Sequence, residues 1–437
     1  MKIAIIGAGI TGNSAAWLLN QKFDITLYEQ HDYIGGHSNT VSGKNHADVD
    51  TGFIVYNEWT YPNLIALFDH LNVETIKTNM SFGVSLENGI FEYSGDAILA
   101  QKRNLLRPSF HKMWIDILRF YKNAPRVLSE LNTNISLGDY LAREKYSKAF
   151  INYHILPMAA AIWSTGTDDI RDFPVKSFVR FFVNHGLFML KDRPQWHTVK
   201  GGSKRYVEKL TESFKDKILL GRAATKIKRS KNNISITDSS GKIHQYDHVI
   251  MACHSDQSLA LLDDRSDTEQ SVLKSFPYSE NTAYLHTDTA LMPKRKSAWS
   301  SWNYLQSAPQ NGVCLTYWMN KLQPFIGQGN FKENLFVTLN PKAPPATEKT
   351  IKKIQYSHPQ FTGNALDGWA RIGDIQGINR TWFCGAWCGY GFHEDGISAG
   401  LTVAEELSEI LGNPIKRPWS VQDKSPAGEN VRKKKTV

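Results

Sequence analysis

The 437-residue chain predicts an α/β fold: a Rossmann-like dinucleotide-binding domain joined to a second, α+β domain. Three observations carry this expectation. A strand, a glycine-rich turn, a helix, a second strand and an acid follow one another within the first thirty residues. Short β-branched runs return between 218 and 252 and again at 381–384, as late strands of a parallel sheet would. A separate set of aromatic and β-branched runs fills 283–340, enough for a second sheet.

The first unit has a physical reason at each position. Residues 2–6 (KIAII) read as a buried strand, 14–19 as a helix and 23–28 as the next strand. Between strand and helix stands Gly7-Ala8-Gly9-Ile10-Thr11-Gly12. Gly7 permits the tight turn, Gly9 lets the backbone approach a pyrophosphate, and Gly12 lets helix and strand pack closely. The helix start presents N–H groups and a positive dipole end to the phosphates. Glu29, 22 residues after Gly7, is placed to accept hydrogen bonds from an adenosine ribose. A glycine turn that only packs a helix on a sheet does not explain Glu29.

Farther along, residues 102–126 predict an amphipathic helix with Pro108 in its first turn. Leu106, Phe110, Met113, Trp114, Ile117, Leu118 and Tyr121 recur on one face. The segment carries seven basic side chains against one acid, Asp116. It reads either as a solvated basic face or as a lipid-facing helix. Gly201-Gly202 precedes a helix expected over 203–214, and a small meander follows. Pro341, Pro344 and Pro345 mark a surface loop, 381–384 a strand, and 395–411 a helix. From 412 onward the chain is Pro-, Lys- and polar-rich and is expected to be a disordered basic tail, 412–437.

Composition narrows the classes. Hydrophobic residues make up 41% and charged residues 21%, which argues against a disordered or collagen-like chain. No run approaches the roughly 20 apolar residues that span a bilayer, and the apolar run at the N-terminus covers only 3–6, too short for a signal peptide. Four cysteines without a CxxC pair predict neither a zinc site nor a disulfide framework, but free thiols in a reducing, cytoplasmic setting. No metal is expected, and no Ser/His/Asp order or carboxylate pair stands out for hydrolysis.

Past Glu29 the sequence continues to Gly35-Gly36-His37-Ser38 and to Asp50-Thr51-Gly52-Phe53. With these motifs the chain resembles the flavin-containing amine oxidase superfamily, which includes protoporphyrinogen oxidases and phytoene-desaturase-like enzymes. It resembles in particular a bacterial branch of predicted NAD/FAD-binding proteins. Members of that branch are often encoded near cyclopropane-fatty-acid-synthase-like methyltransferases, which points to a lipid substrate. The resemblance implies a GR2-type FAD-binding domain drawn from 1–75, 199–275 and 365–411, and a substrate domain from 76–198 and 276–364. It implies FAD as cofactor, held by Gly7, Gly9, Ile10, Thr11, Gly12, Glu29, Gly35, Gly36, His37, Ser38, Gly52 and Phe53. Ala224, Gly385, Asp395, Gly396 and Ile397 complete the set. A helix starting near Gly396 would direct its positive end at the flavin N1–C2=O edge.

Two departures from the pattern shape the expected chemistry. The family often has Arg after its second glycine pair, where this chain has His37. Where amine oxidases place a cage tyrosine, this chain has His393, which argues against guiding an amine to the flavin. His393 is read either as a general base or substrate contact, or as a hydrogen-bonded structural histidine. Tyr317 and Lys321 are candidate catalytic groups, and Trp299, Trp302 and Trp318 candidate pocket walls, with plain core packing as the alternative. The expected function is FAD-dependent hydride removal from a hydrophobic, fatty-acyl or polyene, substrate in a desaturase- or isomerase-like reaction. The alternatives are a peroxide-producing amine oxidase and a non-catalytic flavin-binding, membrane-associated partner.

The formal net charge of +9 divides unevenly. Residues 102–126 hold +6 and residues 413–437 hold +5, leaving the rest at −2. Nucleic acid is therefore not an expected partner. A hydrophobic small molecule or lipid is, along with peripheral contact with an anionic membrane at its inner face.

Overall fold

The computed structural model describes residues 1–42, 47–130, 135–163, 170–306, 314–327, 333–361 and 363–421. Its organising element is a five-stranded parallel sheet in the order Ile218–Leu219, Asp24–Tyr28, Lys2–Ile6, His248–Met251, Thr381–Phe383. Such a sheet is covered on both faces, so its central strands read as continuous apolar runs. In Lys2–Ile6 every residue after Lys2 is buried. The helices Ile10–Leu19 and His393–Ile410 cross closely over it. A side chain at Gly400 would be driven into the Thr11 carbonyl oxygen, so the crossing itself requires glycine there.

A seven-stranded sheet forms the second layer system. Its order is Thr350–Pro359, Tyr278–His286, Phe336–Leu339, Cys314–Trp318, Trp302–Gln306, Phe82–Leu86, Phe91–Ser94. All its pairings are antiparallel except the one between Trp302–Gln306 and Phe82–Leu86. Helices Pro108–Asn123, Leu137–Arg143, Leu156–Trp163 and Val175–Asn184 build an aromatic-rich body whose apolar side chains join the same core. The meander Ala224–Arg229, Ile234–Asp238, Ile243–Tyr246 forms its own small sheet, pinned by the buried bidentate pair Arg229–Glu269.

Two expectations change. The segment 102–126 is not one helix: a 3₁₀ turn, Lys102–Leu106, precedes the α-helix Pro108–Asn123. Leu106 therefore falls out of helical phase, and the buried stripe is Phe110, Met113, Ile117 and Phe120, with Leu106 and Leu118 turned to solvent. The chain also stays packed past 412. Ile415 is buried, Trp419 stacks on Trp17 at 5.7 Å, and Arg417 grips the Glu405 carboxylate through two nitrogens at 2.9 Å. Apolar anchors and a two-pronged ion pair hold residues that composition alone assigns to a tail. Residues 422–437, with the rest of the expected tail, lie outside the described residues. No helix among the described residues is long and apolar enough to cross a membrane.

Candidate active site

The glycine turn takes the form its spacing predicts. Gly7 has φ +103°, and a Cβ there would lie 2.9 Å from the Ala252 carbonyl oxygen. A Cβ on Gly12 would be driven into the Gly7 carbonyl oxygen, whereas one on Gly9 would meet nothing within 4 Å. Gly7 thus makes the turn, Gly12 lets the helix close on the strand, and the face of Gly9 is open for a ligand. No side chain caps the helix that begins at Ile10, so its first-turn N–H groups face that opening. Thr11 is buried, and Ile10 and Thr11 back onto Gly396 of the C-terminal helix.

Glu29 is buried at the end of its strand. It accepts hydrogen bonds from the Ala8 and His31 backbone N–H groups, both at 2.9 Å, which aims its carboxylate at the glycine turn. The backbone of Glu29 joins Leu219 and Arg222, just ahead of Ala224, which opens the meander. The second glycine pair lies directly on the first turn. The Gly35 N–H donates to the Ala8 carbonyl at 2.9 Å, and a Cβ on Gly36 would stand 3.1 Å from the Gly9 Cα. The Phe53 N–H donates to the His37 carbonyl at 2.7 Å, and Gly52 leaves the room that this crossing needs.

His37 is half-buried, with its ring 4.9 Å from that of Tyr356 and 5.3 Å from that of His358. Its Nε2 is buried without a protein partner, and burial holds the imidazole well below its ordinary pKa. A neutral ring offers a single donor or acceptor, not the two-pronged grip of an arginine. The open face at Gly9, the uncapped helix start, the aimed Glu29 and the unpartnered His37 nitrogen together fit the pyrophosphate and ribose of a dinucleotide.

His393 opens the C-terminal helix and faces this cradle. Its Nε2 meets the Tyr206 hydroxyl at 2.7 Å and the Ser38 hydroxyl at 3.0 Å, and its ring stacks on Phe53 at 3.8 Å. Burial pushes its pKa down to about 3, so it is neutral at pH 7. Tyr317 and Lys321 lie with other partners, on the seven-stranded sheet and the short turn after it. Tyr317 stacks on Trp302 at 5.9 Å, and burial pushes its phenol up to about 12. Lys321 donates to Asp96 at 2.7 Å and to Ser81 at 3.0 Å. Trp299 packs edge-on against Trp318 at 5.4 Å. His393 shares none of these partners.

Several groups have roles that spacing does not announce. Asp50, quoted in the Asp-Thr-Gly-Phe run, is fully enclosed. It accepts from the Thr40 hydroxyl of the paired strand, the Ser203 N–H and hydroxyl, and the Gln323 amide, tying together three segments distant in sequence. Glu394 accepts from the Asn63 N–H at 2.9 Å and the Leu64 N–H at 3.0 Å, capping the helix Pro62–His70. Asp395 accepts from the Phe392 N–H at 2.9 Å and caps its own helix. Burial raises both carboxyls to about 7. The side chains that meet the helical body from this end are Phe392, stacked on Phe181 at 5.1 Å, and Tyr390, edge-on to Phe181 at 6.1 Å and to Trp369 at 5.4 Å. Among the described residues no group of three or more His, Cys, Asp or Glu side chains gathers to hold a metal.

Comparison with known proteins agrees with this geometry. Residues 5–71 match the family model of the NAD(P)-binding Rossmann-like domain. A flavin-containing amine oxidase A of Sus scrofa is 21% identical, with 57% of this chain and 49% of that protein covered, so the chain spans about half the length of this curated relative. Cyclohexylamine oxidase from Brevibacterium oxydans IH-35A superposes with TM-score 0.69 at 14% identity, over 94% of this chain and 99% of that one. A CLA-producing fatty acid isomerase from P. acnes superposes with TM-score 0.66 at 14% identity, over 93% and 98%. Residues 5–71 thus match an NAD(P)-binding Rossmann-like domain, part of the chain is similar in sequence to an amine oxidase, and the whole shares the two-sheet α/β fold of the solved structures named above.

Proposed function

We propose that the protein is an FAD-dependent oxidoreductase that removes hydride from a hydrophobic, fatty-acyl or polyene, substrate. Bound FAD supplies the hydride acceptor. The chain supplies binding, orientation and exclusion of water. Gly9 and the uncapped helix start receive the pyrophosphate, and Glu29 takes the ribose hydroxyls. The helix from His393 lends its positive end to charge that develops on reduction. We assign His393 a positioning role. Its neutral ring joins Ser38 of the second glycine loop to Tyr206 and fixes where the C-terminal helix begins.

The fold does not choose the substrate, because it serves both an amine oxidase and a fatty acid isomerase. One observation carries the choice. An alkylammonium needs a carboxylate or an aromatic cage, yet both acids at the head of the C-terminal helix are spent on backbone N–H groups and half-neutralised by burial. What that end presents to the helical body is Phe392 and Tyr390 against Phe181. Phe392 and Phe181 turn their faces on each other instead of flanking a gap as a cation cage does, so the wall suits an apolar chain better than an ammonium group. Anaerobic titration of the flavin-loaded protein tests the reading. Bleaching by unsaturated fatty acids or polyenes, with none by alkyl- or polyamines, is expected. Bleaching by an amine alone overturns the substrate class, and flavin that no substrate reduces favours the non-catalytic alternative.

A further inference from the structure

The outer face of the helix Pro108–Asn123 and the turn before it is apolar where solvent should make it polar. Leu106 is 86% exposed, Ile115 65%, Leu118 52% and Leu105 46%. Scattered single leucines on a surface are ordinary; these form one stripe. The His111 ring N–H (Nε2) donates to the Leu105 carbonyl at 2.7 Å, which holds the turn against the first turns of the helix. Ile115 and Leu118 continue from His111 at the i+4 and i+7 positions of the same face. The opposite face is filled by Phe110, Met113, Ile117 and Phe120, so the helix has no freedom to turn the stripe inward.

The charges around the stripe are of one sign. Lys102, Lys112 and Lys122 are exposed, and among the described residues none of them joins an ion pair. The single acid of the segment, Asp116, is buried, accepts from the Ser147 N–H at 2.8 Å and pairs with Arg119 at 3.1 Å. It therefore neutralises Arg119 and leaves the lysines uncompensated. Arg103 is anchored on the Ile90 carbonyl, and Arg107 stands 5.8 Å from the centre of the Phe91 ring, which keeps both guanidinium groups beside the stripe. Leucines and an isoleucine on a ridge, rimmed by long cationic side chains, match an interfacial helix lying in the headgroup layer.

We propose that this face docks the protein on an anionic lipid bilayer, with Leu105, Leu106, Ile115 and Leu118 inserted among the acyl-chain ends and the lysines on headgroup phosphates. The occupant is the membrane surface itself. A protein partner of the same face would need an acidic groove, and a second copy of this chain would set the lysines against one another. The docking stands apart from the flavin reading, since vesicle partition is measured without turnover.

The test is co-sedimentation of the full-length chain with vesicles of phosphatidylcholine alone or mixed with phosphatidylglycerol. Binding to the mixed vesicles alone, weakening as salt rises, is expected. Leu105→Ser with Leu106→Ser lowers partition at least about tenfold, and so does Ile115→Ser with Leu118→Ser. Lys112→Gln with Lys122→Gln lowers it about fivefold per lysine. All six positions are exposed, so an unchanged thermal midpoint confirms folding. Equal binding to both vesicles, or to neither, overturns the proposal. So does full binding by the leucine and isoleucine variants, which would move the attraction to the basic residues beyond 421. Loss of a dimer in those variants, seen by light scattering, would assign the face to self-association instead.

Discussion

The glycine cradle and the head of the C-terminal helix lie against each other but obey different rules. In the cradle the working groups are backbone N–H donors and the spaces between glycines, all set within a few residues along the chain. At the helix head the working groups are side chains whose partners lie far away in sequence. Glu394 reaches Asn63, His393 reaches Tyr206, and Phe392 meets Phe181. Backbone recognition tolerates no side chain and so has a fixed spacing. Side-chain recognition can be rebuilt residue by residue, which lets one fold serve amines and fatty acids.

The largest expected effect separates packing from binding inside the cradle. Gly12→Val drives a side chain into the Gly7 carbonyl and is expected to cost about 3 kcal/mol or more, enough to lose folded protein in a thermal melt. At Gly9, three residues earlier in the same motif, an added Cβ meets nothing within 4 Å, so Gly9→Val is tolerated by the protein. Its melt without flavin should stay near that of the parent while flavin affinity falls about a hundredfold. A Gly9 variant that binds flavin normally would break the assignment of that face.

Next comes Glu29→Gln, which keeps the size of the side chain but removes its charge. Loss of about 1.5–3 kcal/mol of binding is expected, read as a ten- to hundredfold weaker flavin dissociation constant. Unchanged affinity would reduce Glu29 to a strut for Ala8 and His31.

The enclosed histidines and the two acids at the helix head pull stability in opposite directions with pH. Burial holds His154 and His393 at about 3 and His185, His286 and His358 at about 4. For a depressed histidine the unfolded chain binds the extra proton. Each therefore destabilises the fold as pH falls from about 6.5 toward 4, by up to about 1.4 kcal/mol per pH unit. Glu394 and Asp395, raised to about 7, bind their protons in the folded state, so their contribution is present at low pH and lost as pH rises through 7. The histidines outnumber the acids, so the thermal midpoint should fall between pH 6.5 and 4. Glu394→Gln should remove its opposing contribution between about pH 4.5 and 7, so the midpoint of that variant falls more steeply on acidification than the parent's. A midpoint that climbs on acidification would contradict the neutral, buried state of these rings.

The smallest effect belongs to the substrate wall. Phe392→Leu should change KM for an apolar substrate by only a few-fold and leave the flavin spectrum alone, because one aromatic contact contributes about 0.5–1.5 kcal/mol. A change in spectrum with no change in KM would place Phe392 with the cofactor instead.

This division explains what the sequence discloses. The turn at Gly7–Gly12, the acid at Glu29, the second glycine pair and the strand before Gly385 are readable because each is a local run with one geometric solution. The networks of Asp50 and Glu394 are not, since their donors come from Ser203, Gln323, Asn63 and Leu64 and no periodicity links them. His393 is visible as an anomaly in a motif, yet its direction is set by Tyr206, 187 residues earlier. The packed stretch after 412 is hidden for a similar reason. Its Lys and Pro content reads as tail, while two residues, Ile415 and Trp419, decide that it packs.

The central claim is that the cradle holds FAD, and the visible spectrum of the purified full-length protein tests it most directly. The account predicts oxidised-flavin absorption bands, with FAD released stoichiometrically on denaturation and the bands missing from Gly9→Val. A colourless protein that takes up no added FAD would contradict it.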